Sequence, residues 1–140
     1  MLKKKLPKRY ERKWVINNID CNQIFFLLFK SNFSFSYQYV DRYVNSIYFD
    51  DQNFSSIRQN FDGISEKKKY RLRWYGDLSK ISKPVFEIKN KSSFEVFKEN
   101  INFPIADGLN LFNFNDLKKI EEAINTQFNF KNKIFPILTT

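Results

Sequence analysis

The sequence predicts an α+β fold, in which an antiparallel β-sheet is flanked by helices. Two observations carry that expectation. Three stretches place charged residues at every second position: Arg9, Glu11 and Lys13; Lys69, Arg71 and Arg73; Glu87, Lys89 and Lys91. Two further stretches, near residues 20–29 and 116–128, instead gather apolar residues as a helix packed on a sheet does. Successive side chains of a strand point to opposite faces, so each charged triplet lies on one face. The residues between them are Tyr10, Arg12, Trp14 and Ile16; Tyr70, Leu72 and Trp74; Phe86 and Ile88. Arg12 apart, these are β-formers suited to a core. The sheet would therefore have one apolar face and one face of clustered, mostly positive charge, which suits a polyanion.

The elements follow in order. A first strand is expected over residues 8–17, after Pro7. Asp20 is placed to cap a helix that carries Ile24, Phe25, Leu27, Leu28 and Phe29, whose apolar density suggests packing against a sheet. Residues 31–38 alternate Ser or Asn with Phe and Tyr and give no clear state. A second strand fits 43–50, and 51–61 read as a short helix or irregular connection ending at the turn signal Asp62-Gly63. The clearest strand is 67–75, ended by Gly76. A loop around 79–84 leads to a strand over 85–91, then a turn at Ser92-Ser93 and a strand over 94–103. Residues 104–113 read as a loop around Gly108. A helix over 116–128 follows, with Leu117, Ile120, Ala123, Ile124 and Phe128 on one side, and a further strand begins at Ile134.

Composition narrows the function classes. A length of 140 residues fits one domain, and a hydrophobic content of 42% with 17 Phe excludes a disordered basic tail. Lys and Arg outnumber Asp and Glu by 24 to 15, a formal charge of +9, which favours anionic partners. An AT-rich genome would also raise Lys, Asn, Ile and Phe, but it would not place charge at period two. The single Cys21 provides no internal disulfide and suits a reducing compartment. With no His in the chain, Cys-His and Ser-His-Asp hydrolases are excluded. No apolar run follows the basic start, and the longest one, 24–29, is too short to cross a bilayer, so a soluble, cytoplasmic protein is expected. Neither a P-loop nor a Rossmann glycine fingerprint is present.

The candidate site residues come from the charged face. Arg71 and Arg73 project from one side of a strand about 7 Å apart, a spacing that lets the pair grip neighbouring phosphates. Lys89 and Lys91 on the next strand, Lys98 on the one after, and Arg9 and Lys13 on the first add positive charge. Glu11 and Glu87 are candidates to hold a divalent cation, orient a lysine or accept a proton. Tyr48 and Asp50 are positioned either to touch a ligand or to serve the fold. The plain alternative to a site is a solvated outer face of an ordinary antiparallel sheet.

Four ordered blocks carry a family resemblance: Arg9-Tyr10-Glu11-Arg12-Lys13; residues 44–50, Val-Asn-Ser-Ile-Tyr-Phe-Asp; residues 69–76, Lys-Tyr-Arg-Leu-Arg-Trp-Tyr-Gly; and residues 86–91, Phe-Glu-Ile-Lys-Asn-Lys. Together they resemble the VTC domain. This is the polyphosphate polymerase domain of the vacuolar transporter chaperone family, within the triphosphate tunnel metalloenzyme (CYTH-like) superfamily. The resemblance implies an antiparallel barrel with a cationic tunnel inside and helices outside. It also implies a phosphotransferase that moves the terminal phosphoryl of ATP onto polyphosphate with Mn²⁺ or Mg²⁺. On that pattern Arg71, Arg73, Lys89 and Lys98 bind phosphate, while Arg9, Glu11 and Lys13 match the charged first-strand motif.

Residues 1–140 would form a single domain holding roughly the N-terminal two-thirds of the family pattern, because the metal-binding glutamate and further cationic strands lie beyond the last matching block. Either the chain is a truncated fragment or pseudogene product, or a second chain completes the barrel, and weak or absent turnover by this chain alone is the corresponding expectation. Two other classes stand beside the enzyme: a non-catalytic module for polyphosphate or nucleotide, and an RNA-binding domain. The last is disfavoured because Tyr70 and Trp74 point away from Arg71 and Arg73.

Overall fold

The structure is a computed structural model that describes residues 4–5, 15–33, 35–37, 39–92 and 95–140. The chain divides into two compact units, one of residues 9–41 and one of residues 1–8 with 42–140. In the smaller unit α1 (Cys21–Lys30) starts at Asp20, whose backbone N–H donates to the Gln23 side chain at 3.2 Å. No residue of α1 is buried. Its Phe25 and Phe29 instead lie near Tyr37 of the same unit, at ring-centre distances of 6.2 and 5.4 Å. Residues 8–14 of the expected first strand lie outside the described residues, and 15–17 adopt no regular structure.

The larger unit is built on a six-stranded antiparallel sheet in the order β1-β5-β4-β3-β2-β6. Its strands are β1 (Lys4–Lys5), β2 (Val44–Asp51), β3 (Lys67–Tyr75), β4 (Val85–Ser92), β5 (Glu95–Asn102) and β6 (Ile134–Thr139). Two helices accompany them, α2 (Ser55–Phe61) and α3 (Phe114–Phe128), with a 3-10 turn at Pro104–Ala106. The α+β class and the antiparallel sheet agree with the sequence expectation. The sheet is open: it ends at β1 and β6, and among the described residues no strand joins those ends into a barrel.

The core lies on one face of this sheet. Ile47 and Phe49 of β2, Leu72 and Trp74 of β3 and Phe86 of β4 meet Ile120 and Ile124 of α3. Phe86 sits at the centre, fully buried, stacked on Phe128 at 4.8 Å and edge-on to Phe49 at 6.0 Å between ring centres. Two side chains fix what surrounds this layer. Asn125 of α3 accepts the Ile134 N–H at 2.9 Å and donates to the Ile134 carbonyl at 2.8 Å, which ties β6 to the helix. Asp50, buried and charged, accepts the N–H groups of Ser56 and Ile57 at 3.0 and 3.1 Å and so caps α2. Of the two roles left open for Asp50, this geometry takes the structural one.

Among the described residues β6 is an edge strand, and its pairing has a particular form. Ser46 and Thr140 exchange both backbone hydrogen bonds, at 2.7 and 2.9 Å, and the register shifts between Tyr48 and Phe49. Antiparallel alternation then turns the amide groups of Phe49 towards β3 and leaves Pro136, opposite it, with its nitrogen facing outward. Proline has no N–H, so the outer edge lacks a donor at its middle.

Phe86→Ala removes the residue about which the core rings are arranged, and should lower unfolding free energy by about 3–5 kcal/mol. Urea denaturation followed by Trp74 fluorescence measures this; a loss under about 1 kcal/mol would be typical of a surface substitution instead.

Candidate functional site

On β3, alternation sends Leu72 and Trp74 into the core and Arg71 and Arg73 to the other face. Strand register then decides which side chains meet. Arg71 lies opposite Tyr48 of β2 and Glu87 of β4, and Glu87 lies opposite Asn100 of β5. Lys98 is two residues from Asn100 on β5 and therefore a diagonal neighbour of Glu87.

Three cations converge on Glu87. The Arg71 Nε donates to Oε2, the Lys98 Nζ donates to Oε1 at 2.7 Å, and the Arg73 Nη1 lies 3.5 Å from Oε1. Arg71 also reaches the Tyr48 hydroxyl through Nη1 at 3.5 Å. Glu87 is only 4% exposed, whereas Arg71, Arg73 and Lys98 are 25, 21 and 25% exposed, so the carboxylate lies beneath its partners. Burial pushes the Glu87 carboxyl upward, but hydrogen bonds from Lys98 and Arg71, with their charges, outweigh it and hold the group below the ordinary carboxylate value. Among the described residues, one negative charge among three positive ones leaves a local surplus of two.

Two features extend this surplus. Among the described residues, the Arg73 Nε, a donor, and the Asn100 Oδ1, an acceptor, are buried without a hydrogen-bond partner. Buried polar atoms are nearly always paired, so the Arg73 guanidinium retains unused donor capacity among these cations. Beyond the cluster, Lys69, Lys89 and Lys98 lie directly opposite one another across β3, β4 and β5, and Lys67 faces Lys91 in the row after. Like charges so placed repel and weaken a sheet, and a bound polyanion would relieve that repulsion.

The structure thus brings Arg71, Arg73, Glu87 and Lys98 together and sets Lys89 on the same face one row away. Lys91 is at the far end of β4, exposed, and lines a separate cavity of about 810 Å³ whose lining includes Tyr70 and Asn90. Those two side chains leave the sheet on the face opposite Arg71 and Glu87. Arg9, Glu11 and Lys13 lie outside the described residues. Sequence reasoning passed over Asn100, although its spacing from Lys98 places it on the cationic face.

The described residues do not form a site for the Mn²⁺ or Mg²⁺ that the resemblance implies. Among them no group of three or more carboxylate, Cys or His side chains could hold a metal ion, and both Glu87 oxygens are already engaged by cations. Glu87 fits the orienting role better than the metal role.

The VTC domain profile matches residues 8–135, and the chain belongs to the VTC domain family. No curated protein and no solved structure matches it. Among the described residues no helix is long and apolar enough to cross a membrane.

The Glu87 environment predicts a pH dependence. Its folded-state pKa is depressed, so its contribution to stability is complete above its ordinary value of 4.5 and is lost as pH falls through the lower folded value. Thermal unfolding of the native chain should weaken more than that of Glu87→Gln as pH drops below about 4.5. Parallel curves for the two proteins would show that Glu87 carries no such linkage.

Proposed function

We propose that the cationic face of the sheet holds the phosphate chain of a nucleoside triphosphate or polyphosphate, for phosphoryl transfer of the polyphosphate polymerase type. The observation that carries this reading is the convergence of Arg71, Arg73 and Lys98 on one buried carboxylate with positive charge in surplus. Membership of the VTC domain family supports the choice of phosphate chain over other anions.

The chemistry assigned to these residues is electrostatic. Arg71 and Arg73 offer planar, always-charged forks to phosphate oxygens, and Lys98 offers a compact ammonium beside them. Lys89 and Lys69 continue the charge along the same face, where a longer chain would lie. Such groups hold reacting phosphates in line and neutralise charge that develops on the transferred phosphoryl and its leaving group. No protein nucleophile is required. The stacking alternative loses support because Trp74 is fully buried on the opposite face and unavailable to a base.

Titration calorimetry with tripolyphosphate provides the test. Arg71→Ala and Arg73→Ala should each weaken binding about tenfold or more, as expected for losing charge-assisted hydrogen bonds of roughly 1.5–3 kcal/mol. Wild-type affinity in both variants, or RNA outcompeting tripolyphosphate, would overturn the proposal. Following polyphosphate formed from ATP and Mn²⁺ then separates transfer from binding.

A further inference from the structure

We infer that Glu87 is the positioning residue of this site, a built-in counter-ion that holds Arg71, Arg73 and Lys98 together for a ligand with several phosphates. The inference rests on the phosphate-binding reading above and assigns Glu87 a place within it.

Three observations lead here. First, Glu87 lies under the cations: it is 4% exposed while they are 21–25% exposed, so a ligand arriving from the open side meets nitrogen before it meets the carboxylate. Second, Glu87 takes one nitrogen from each partner: Nε of Arg71, Nη1 of Arg73 and Nζ of Lys98. An arginine has five N–H donors and a lysine three, so most remain for a ligand. Third, the Arg73 Nε next to this arrangement has no partner among the described residues. Glu87 therefore orders the cations without using up their capacity.

Two effects oppose each other, and their signs differ. By charge alone, Glu87 repels an anion, so removing it should tighten phosphate binding. By positioning, removing it lets three like charges separate, and the ligand must then gather and immobilise three long side chains itself. Burial beneath the cations favours positioning, because the carboxylate interacts most strongly with groups in contact with it and less with a ligand on their far side.

Two substitutions in the full chain test this, with tripolyphosphate and orthophosphate titrated in EDTA and again with Mn²⁺. Glu87→Gln removes the charge at nearly constant shape. Glu87→Asp keeps the charge but is one methylene shorter and cannot reach all three partners. Both should bind tripolyphosphate about tenfold more weakly in EDTA, with a smaller loss for orthophosphate, which needs fewer converged cations. Unchanged or tighter tripolyphosphate binding by Glu87→Gln, or a loss that occurs only with Mn²⁺, would overturn the inference. Wild-type affinity in Glu87→Asp would do the same. A readout without ligand separates this inference from the reading beneath it. The Arg71 Nε–H resonance should be displaced from the solvent-exposed arginine position in the native chain and return to it in Glu87→Gln. If it is displaced in neither protein the positioning role fails, and if wild type binds no tripolyphosphate the phosphate reading fails.

Discussion

The register between β3 and β4 is the constraint from which fold and site both follow. It sets Leu72 against Phe86 and, one residue on, Arg71 against Glu87. Side chains alternate with a period of two, so a slip by a single residue would carry the arginines into the core and Leu72 and Trp74 into water. The hydrophobic layer beneath the sheet and the ionic cluster above it are two results of one pairing. The core therefore positions the site without touching it.

This pairing also explains why so polar a cluster can be held in place. A carboxylate as buried as Glu87 would be costly alone, and three adjacent cations would repel one another. Together they satisfy both demands, and the apolar core on the other face stiffens the strands that carry them. The energetic conflict that remains is in the lysine rows, where Lys69, Lys89 and Lys98 lie side by side. Natural sheets tend to oppose unlike charges, so these rows depart from a local rule, and the proposed phosphate ligand would relieve the repulsion there.

The parts of the fold that are legible in the sequence are those governed by local alternation. Residues 69–74 alternate charged and apolar side chains ahead of a glycine stop, and β3 has the expected limits of 67–75. Asp20, too, stands where the helix begins. The sequence reading starts α3 at Asp116, but the helix begins at Phe114 because the Asn113 side chain accepts the N–H groups of Asn115 and Asp116, a cap that the reading passed over. The strand β1 is two lysines long and exists through its pairing with β5, which no local pattern encodes. In the site, the shared face of Arg71, Arg73 and Glu87 follows from spacing alone. That Lys98 belongs with them depends on β4–β5 register, and so does the use of both Glu87 oxygens by nitrogen. Spacing alone leaves metal binding, lysine orientation and proton acceptance all open for Glu87; only the register shows which nitrogens lie beside it.

The outward-facing nitrogen of Pro136 has a consequence for assembly. A neighbouring segment that prolonged the sheet alongside β6 would meet no amide at Pro136 and would find the Ile134 groups already taken by Asn125. Indiscriminate stacking of copies into fibrils is discouraged at that margin.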